Sequence, residues 1–141
     1  MIYHLKKLAV GIDSVENLKI RQKIIFNEYN KIIHVTRNTP KKKDDLIAKG
    51  SMYWVIKRRV LVRQKIKDIN SVIRNDGSKG CEIELDSELI KVIPTPMRPF
   101  QGWRYYSSED VPSDLSLNVN NDNEEALTDE LNAELIKLGL Y

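Results

Sequence analysis

At 141 residues, with 41% hydrophobic and 30% charged side chains, the chain has the size and composition of one globular domain rather than of a disordered or fibrous protein. Its formal net charge is only +3, and Cys81 is its single cysteine, which excludes an intramolecular disulfide and a thiolate metal cluster. No apolar stretch approaches a membrane span and the first apolar run breaks at Lys6 and Lys7, so neither an anchor nor a signal-peptide core is expected, and a reducing cytoplasm is the expected compartment.

Residues 2–10 read as a first strand, ended by Gly11. Asp13 offers an N-cap with Glu16 three residues on, the spacing of a capping box. Val15, Leu18, Ile25 and Tyr29 recur at helical intervals and predict an amphipathic helix over 14–30. Ile32–Thr36 is short and β-rich, a second strand. Pro40 favours a helix start just after Thr39, and that helix is expected from Lys41 to Ala48, stopping at Gly50.

Two strands are expected next, Met52–Lys57 and Val60–Ile66, the second alternating Val60, Val62, Gln64 and Ile66 against Leu61, Arg63 and Lys65. Asp76-Gly77 marks a hairpin turn within 74–80. Cys81–Leu85 and Leu89–Ile93 read as a further strand pair. Pro94, Pro96 and Pro99 then argue against a regular ladder and for an extended loop, with the aromatic Phe100–Tyr106 segment packing back on the body. Beyond Ser107 the chain turns polar and acidic, and Thr128 offers a cap for a last helix carrying Leu131, Leu135 and Leu138. The order predicts an α+β fold with a small mixed or mostly antiparallel sheet, two helices in the N-terminal half and one at the C-terminus. Residues 1–114 are expected to form the domain and 115–141 an acidic extension.

Charge is strongly segregated. Residues 34–65 hold ten Lys or Arg against Asp44 and Asp45, a block of +8, while 107–141 hold nine acids against Lys137, a tail of −8. Cations beside aromatics suit a polyanion with stackable faces, and hence nucleic acid.

Five separated motifs occur in order: His34-Val35-Thr36-Arg37, Thr39-Pro40-Lys41, Gly50-Ser51-Met52-Tyr53-Trp54-Val55-Ile56-Lys57, Arg63-Gln64, and Phe100-Gln101-Gly102-Trp103-Arg104-Tyr105. On these the chain resembles a bacterial family, the domain of unknown function numbered fourteen eighty-nine, over about residues 2–114. The family often carries a glycine after the Tyr-Trp-Val-Ile-Lys motif, where this chain has Arg58. The resemblance implies no activity. A weaker, topological resemblance is to PUA-like barrels of the ASCH type, resting on Ala48-Lys49-Gly50 leading into the Tyr53-Trp54 strand. That likeness implies a small barrel binding RNA or modified bases in a cleft.

The candidate site follows from charge and aromaticity. Arg37, Lys41, Lys57, Arg63 and Arg104 are expected to meet phosphates, and a base is expected to stack on Trp103 or Tyr53. Gln64 beside Arg63 adds an amide suited to base edges. Each reading has a plainer rival: Trp54 and Trp103 as core, Lys41–Lys43 as a solvated face, Cys81 as a small buried hydrophobe. His4 and His34 have no third ligand for a metal, and no nucleophile pairs with His34, so neither a catalytic signature nor a cofactor is implied. The expected function is therefore an RNA- or nucleotide-binding module. An enzyme of nucleotide or RNA metabolism using the same cleft, and a protein-interaction subunit with a basic face, stand as alternatives.

Overall fold

In the computed structural model, which describes residues 2–115, the chain runs β1 (Tyr3–Leu8), α1 (Val15–Tyr29), β2 (Ile32–Thr36), α2 (Lys43–Lys49), β3 (Ser51–Ile56), β4 (Arg59–Ile73), β5 (Lys79–Leu85), β6 (Ile90–Pro96) and β7 (Trp103–Ser107). The seven strands form one mixed sheet in the order β2-β5-β4-β3-β1-β7, with β6 also on β4. The class is α+β, as expected. The sheet ends at β2 and β7 and is not closed, so the fold does not carry the barrel that the weaker resemblance implies. The helix expected from Thr128 lies outside the described residues. No helix among those described is long and apolar enough to cross a membrane.

The strand β4 organises the sheet. Its first half pairs antiparallel with β3 from Ser51↔Lys65 to Ile56↔Arg59, and its second half pairs with β5 from Ile66↔Leu85 to Ile73↔Lys79. The next strand, β6, continues along β4 where β5 leaves off, from Arg63↔Ile90 to Arg59↔Pro96. A shift in register between Ile66 and Asp68 marks the passage from one half to the other. The sheet is mixed and mostly antiparallel, as expected: only β1 and β3 pair in parallel, Leu5↔Met52 to Leu8↔Val55, and α1, β2 and α2 supply the crossover.

Local chemistry explains where the elements start and stop. The N-cap of α1 is Ser14, not Asp13: its extended backbone lets Oγ accept the Asn17 N–H at 3.1 Å. The second helix starts at Lys43, two residues later than expected, with Asp44 and Asp45 in its first turn. It ends at Gly50, whose backbone is extended, and only glycine fits there because a Cβ would lie 2.7 Å from the Leu46 carbonyl oxygen and 2.9 Å from that of Tyr3. Pro94 and Pro96 lie inside β6, a correction to the loop expected there. The strand tolerates them because Pro94 falls in an irregular stretch of its pairing with β4 and Pro96 at the strand's end. The aromatic segment expected to pack back on the body is in part β7, antiparallel to β1 from Tyr3↔Ser107 to Lys7↔Trp103.

The β3–β4 turn holds Lys57 at φ 50° and Arg58 at φ 66°, both left-handed. The turn shape survives without the glycine, at a cost. Arg58→Gly is expected to stabilise the protein by about 0.5–1 kcal/mol, the left-handed penalty of about 1–2 kcal/mol less the entropic cost of glycine. Urea denaturation measures this, and an unmoved or lowered midpoint would show that the turn stores no strain.

Candidate functional site

Directly paired residues on neighbouring strands point to the same face of a sheet. The register therefore sorts the candidate residues into two rows. One runs Trp103, Lys7, Trp54, Val62 across β7, β1, β3 and β4, on the face that α1 and α2 cover through Leu18 and Leu46. The other runs Arg104, Lys6, Tyr53, Arg63 across the same strands on the opposite face, whose smaller core contains Val55, Val60, Val92 and Tyr106.

On the first face, the gap between the two ends of the open sheet forms a cleft of about 570 Å³. Lys7 of β1, Arg37 just after β2, Arg74 just after β4 and Trp103 of β7 surround it, with Asn38 and Gln101. None of the three cations takes part in an ion pair among the described residues. Burial lowers the Lys7 pKa below that of an ordinary lysine. The Trp103 indole is held by its Nε1–H, which donates to the Asn38 carbonyl at 2.8 Å, and by edge-on packing with Tyr105 at 5.0 Å. Gly102 reaches φ 68° immediately before it, a turn that glycine enters without penalty. Cationic fork, aromatic face and amides thus meet in one concavity, a donor set suited to an anion attached to a planar ring.

The fold brings together Arg37 and Trp103 among the candidates and separates the others. Tyr53 is only 3% exposed and sits edge-on to His4 and Tyr106, so it is core rather than a stacking platform. Burial pushes its hydroxyl pKa up to about 12. Arg63 is committed to Asp114, donating from Nε and Nη2 at 2.8 Å each, while Nη1 donates to Ser51 Oγ at 3.0 Å. That fork ties residues 113–115 to the edge of β6, where Ile93 N–H also donates to the Ser113 carbonyl. Gln64 is fully buried: it exchanges hydrogen bonds with Gln22 at 2.7 and 2.8 Å, accepts from Trp54 Nε1–H, and donates to the Asp86 carbonyl. It is a core amide, not a reader of base edges. Arg104 stacks toward Phe100 on the second face, with the guanidinium carbon 5.9 Å from the ring centre. Lys57 lies in the β3–β4 turn and Lys41 in the turn before α2, both exposed and neither on the cleft.

The cations that sequence reasoning missed are Lys7 and Arg74. Two adjacent lysines, Lys6 and Lys7, disguise which one faces inward, and Arg74 reaches the cleft only because β4 extends to Ile73. Gly80 makes room for it, since a Cβ there would lie 2.7 Å from Arg74 Cγ.

Both histidines are held neutral. His4 Nδ1 accepts the Ser51 N–H at 3.0 Å, and burial followed by the Arg63 charge lowers its pKa. Burial, with Lys7 and Arg21 adding to it, lowers His34 to about 4. Its ring packs edge-on to Trp54 at 5.2 Å. Among the described residues no cluster of three or more His, Cys, Asp or Glu side chains could hold a metal ion.

No curated protein and no solved structure matches the chain. One family does match, and its span runs through the acidic tail as well as the five motifs: over residues 5–141 the chain belongs to the family described as Protein of unknown function (DUF1489).

Proposed function

We propose that this protein is an RNA- or nucleotide-binding module that takes phosphate groups into the cleft between β2 and β7. The observation that carries the reading is the convergence of Lys7, Arg37 and Arg74 around Trp103, with no ion pair to any of the three among the described residues. Cations left without carboxylate partners in a concavity attract anions, and the indole adds a face on which a base stacks. The cleft's volume falls within the range of ordinary ligand sites. A cytoplasmic setting accords with Cys81 as the only cysteine, buried and unpaired.

Binding of a fluorescent single-stranded RNA to the full chain tests this. Affinity is expected to fall with salt, with a log–log slope of about −0.7 for each phosphate neutralised. Joint replacement of Arg37→Ala and Arg74→Ala is expected to weaken binding at low salt at least about tenfold and to flatten that slope. Trp103→Ala is expected to cost about 1–3 kcal/mol of binding, the worth of one stacked base. Lys57→Ala, away from the cleft, serves as the control. Equal affinity for the wild type and the double arginine variant would remove the cleft from the binding site.

A further inference from the structure

A second hollow of about 140 Å³, lined by residues of α1, β2 and the end of β1, shares Lys7 with the cationic cleft. Lys7 borders both, and His34 of the second adjoins Val35 of the first along β2. The wall is mostly apolar, formed by residues such as Ile12, Leu18 and Ile25 with the Trp54 indole; Gln22, and Arg21, which donates to the Val10 carbonyl, also border it. The indole is fixed in place, because its Nε1–H donates to Gln64 Oε1 at 3.1 Å. Within this apolar wall, His34 Nε2 is buried and has no hydrogen-bond partner among the described residues. Native interiors rarely leave such an atom unpaired, and the side chain that carries it lines the hollow, which points to a ligand atom as the missing partner.

Size and chemistry narrow the occupant. An apolar cavity of about 150 Å³ accepts one benzene-sized ring, so this hollow fits a single six-membered ring and not a fused pair. The neutral imidazole asks for an uncharged hydrogen-bonding edge. Lys7 at the junction requires an anionic group on the cleft side of that ring. Resting on the reading above, we infer that the ligand is a pyrimidine nucleotide, its phosphate among Lys7, Arg37 and Arg74 and its ring in the hollow against Trp54 and His34 Nε2.

The test is calorimetric titration of the full chain with UMP, CMP, AMP, GMP and ribose 5-phosphate, alongside the single-stranded RNA. UMP or CMP is expected to bind at least about tenfold more tightly than the purine nucleotides and ribose 5-phosphate. His34→Phe is expected to erase that advantage and leave ribose 5-phosphate unchanged. Nitrogen-15 imidazole spectra of the wild type read the same contact without a substitution: UMP or CMP should shift the His34 Nε2 resonance and leave His4, whose Nδ1 is already bonded, in place. Equal binding of all four nucleotides and ribose 5-phosphate would overturn the ring site and keep the anion cleft. RNA binding without nucleotide binding, a purine preference, or an unmoved His34 resonance on saturation would likewise overturn the inference alone. No binding of any of these ligands, RNA included, would overturn the cleft reading with it.

Discussion

Gln64→Ala is expected to destabilise the protein by about 3–5 kcal/mol, the largest effect of any single substitution considered. Gln64 is fully buried and joins three groups through four hydrogen bonds: the Gln22 amide through two, the Trp54 indole N–H, and the Asp86 carbonyl. Truncation leaves each without its partner here, at about 1–3 kcal/mol for a stranded buried group, and opens a cavity. Gln64→Leu preserves volume but strands the same groups, so it should cost nearly as much. Replacing Gln22 and Gln64 together with leucine should cost less than the two single effects combined, because each amide is then removed with its partner. Chemical denaturation of the four proteins measures the cycle. A loss under about 1 kcal/mol for Gln64→Ala would mean that the network contributes little to the fold.

The second large effect is acid lability from His34. In the folded chain its pKa lies at about 4, against 6.5 for an unperturbed histidine. Above pH 6.5 both states are neutral and the group is silent. As pH falls from 6.5 toward 4 only the unfolded chain takes up the proton, so stability is lost across that window and no further below it. At about 1.4 kcal/mol per pKa unit, the loss approaches roughly 3 kcal/mol. His4 acts in the same direction, its pKa also being lowered. Asp68 and Asp76, held below the usual carboxylate value by hydrogen bonds, act only in a lower window. Denaturation at a series of pH values is expected to show the decline for the wild type and a much flatter profile for His34→Phe. Matching profiles for the two proteins would relocate the acid sensitivity.

Local patterns carried most of the fold. Alternation in Val60–Ile66, the β-rich run Ile32–Thr36 and the Asp76-Gly77 turn each correspond to an element found there, because side-chain period and turn chemistry are local properties. The parallel β1–β3 pairing was not legible, since it depends on a crossover rather than on either strand's residues. Strand β7 was hidden because aromatic enrichment is shared by strands and packed loops. The charge-based reading of the site separated into parts for one reason: proximity in sequence says nothing of which face a strand residue takes. Tyr53 and Trp54 are neighbours in the chain and point to opposite faces of the sheet, and Arg63 and Gln64 are consumed by partners distant in sequence, Asp114 and Gln22. Arg37 and Trp103 do meet at the cleft, because one follows the end of β2 and the other begins β7, the two ends of the open sheet.

The pairing of β1 with β7 also sets when the cleft comes into being during synthesis. Lys7 emerges among the first residues, then Arg37 and Arg74, while Trp103 arrives with the strand that zips onto β1 near the end of the described chain. A nascent chain still lacking β7 therefore carries all three cations but neither the wall that β7 supplies nor the Trp103 indole. The capture proposed above therefore requires β7, and a ligand bound there would hold β1 and β7 together by mass action.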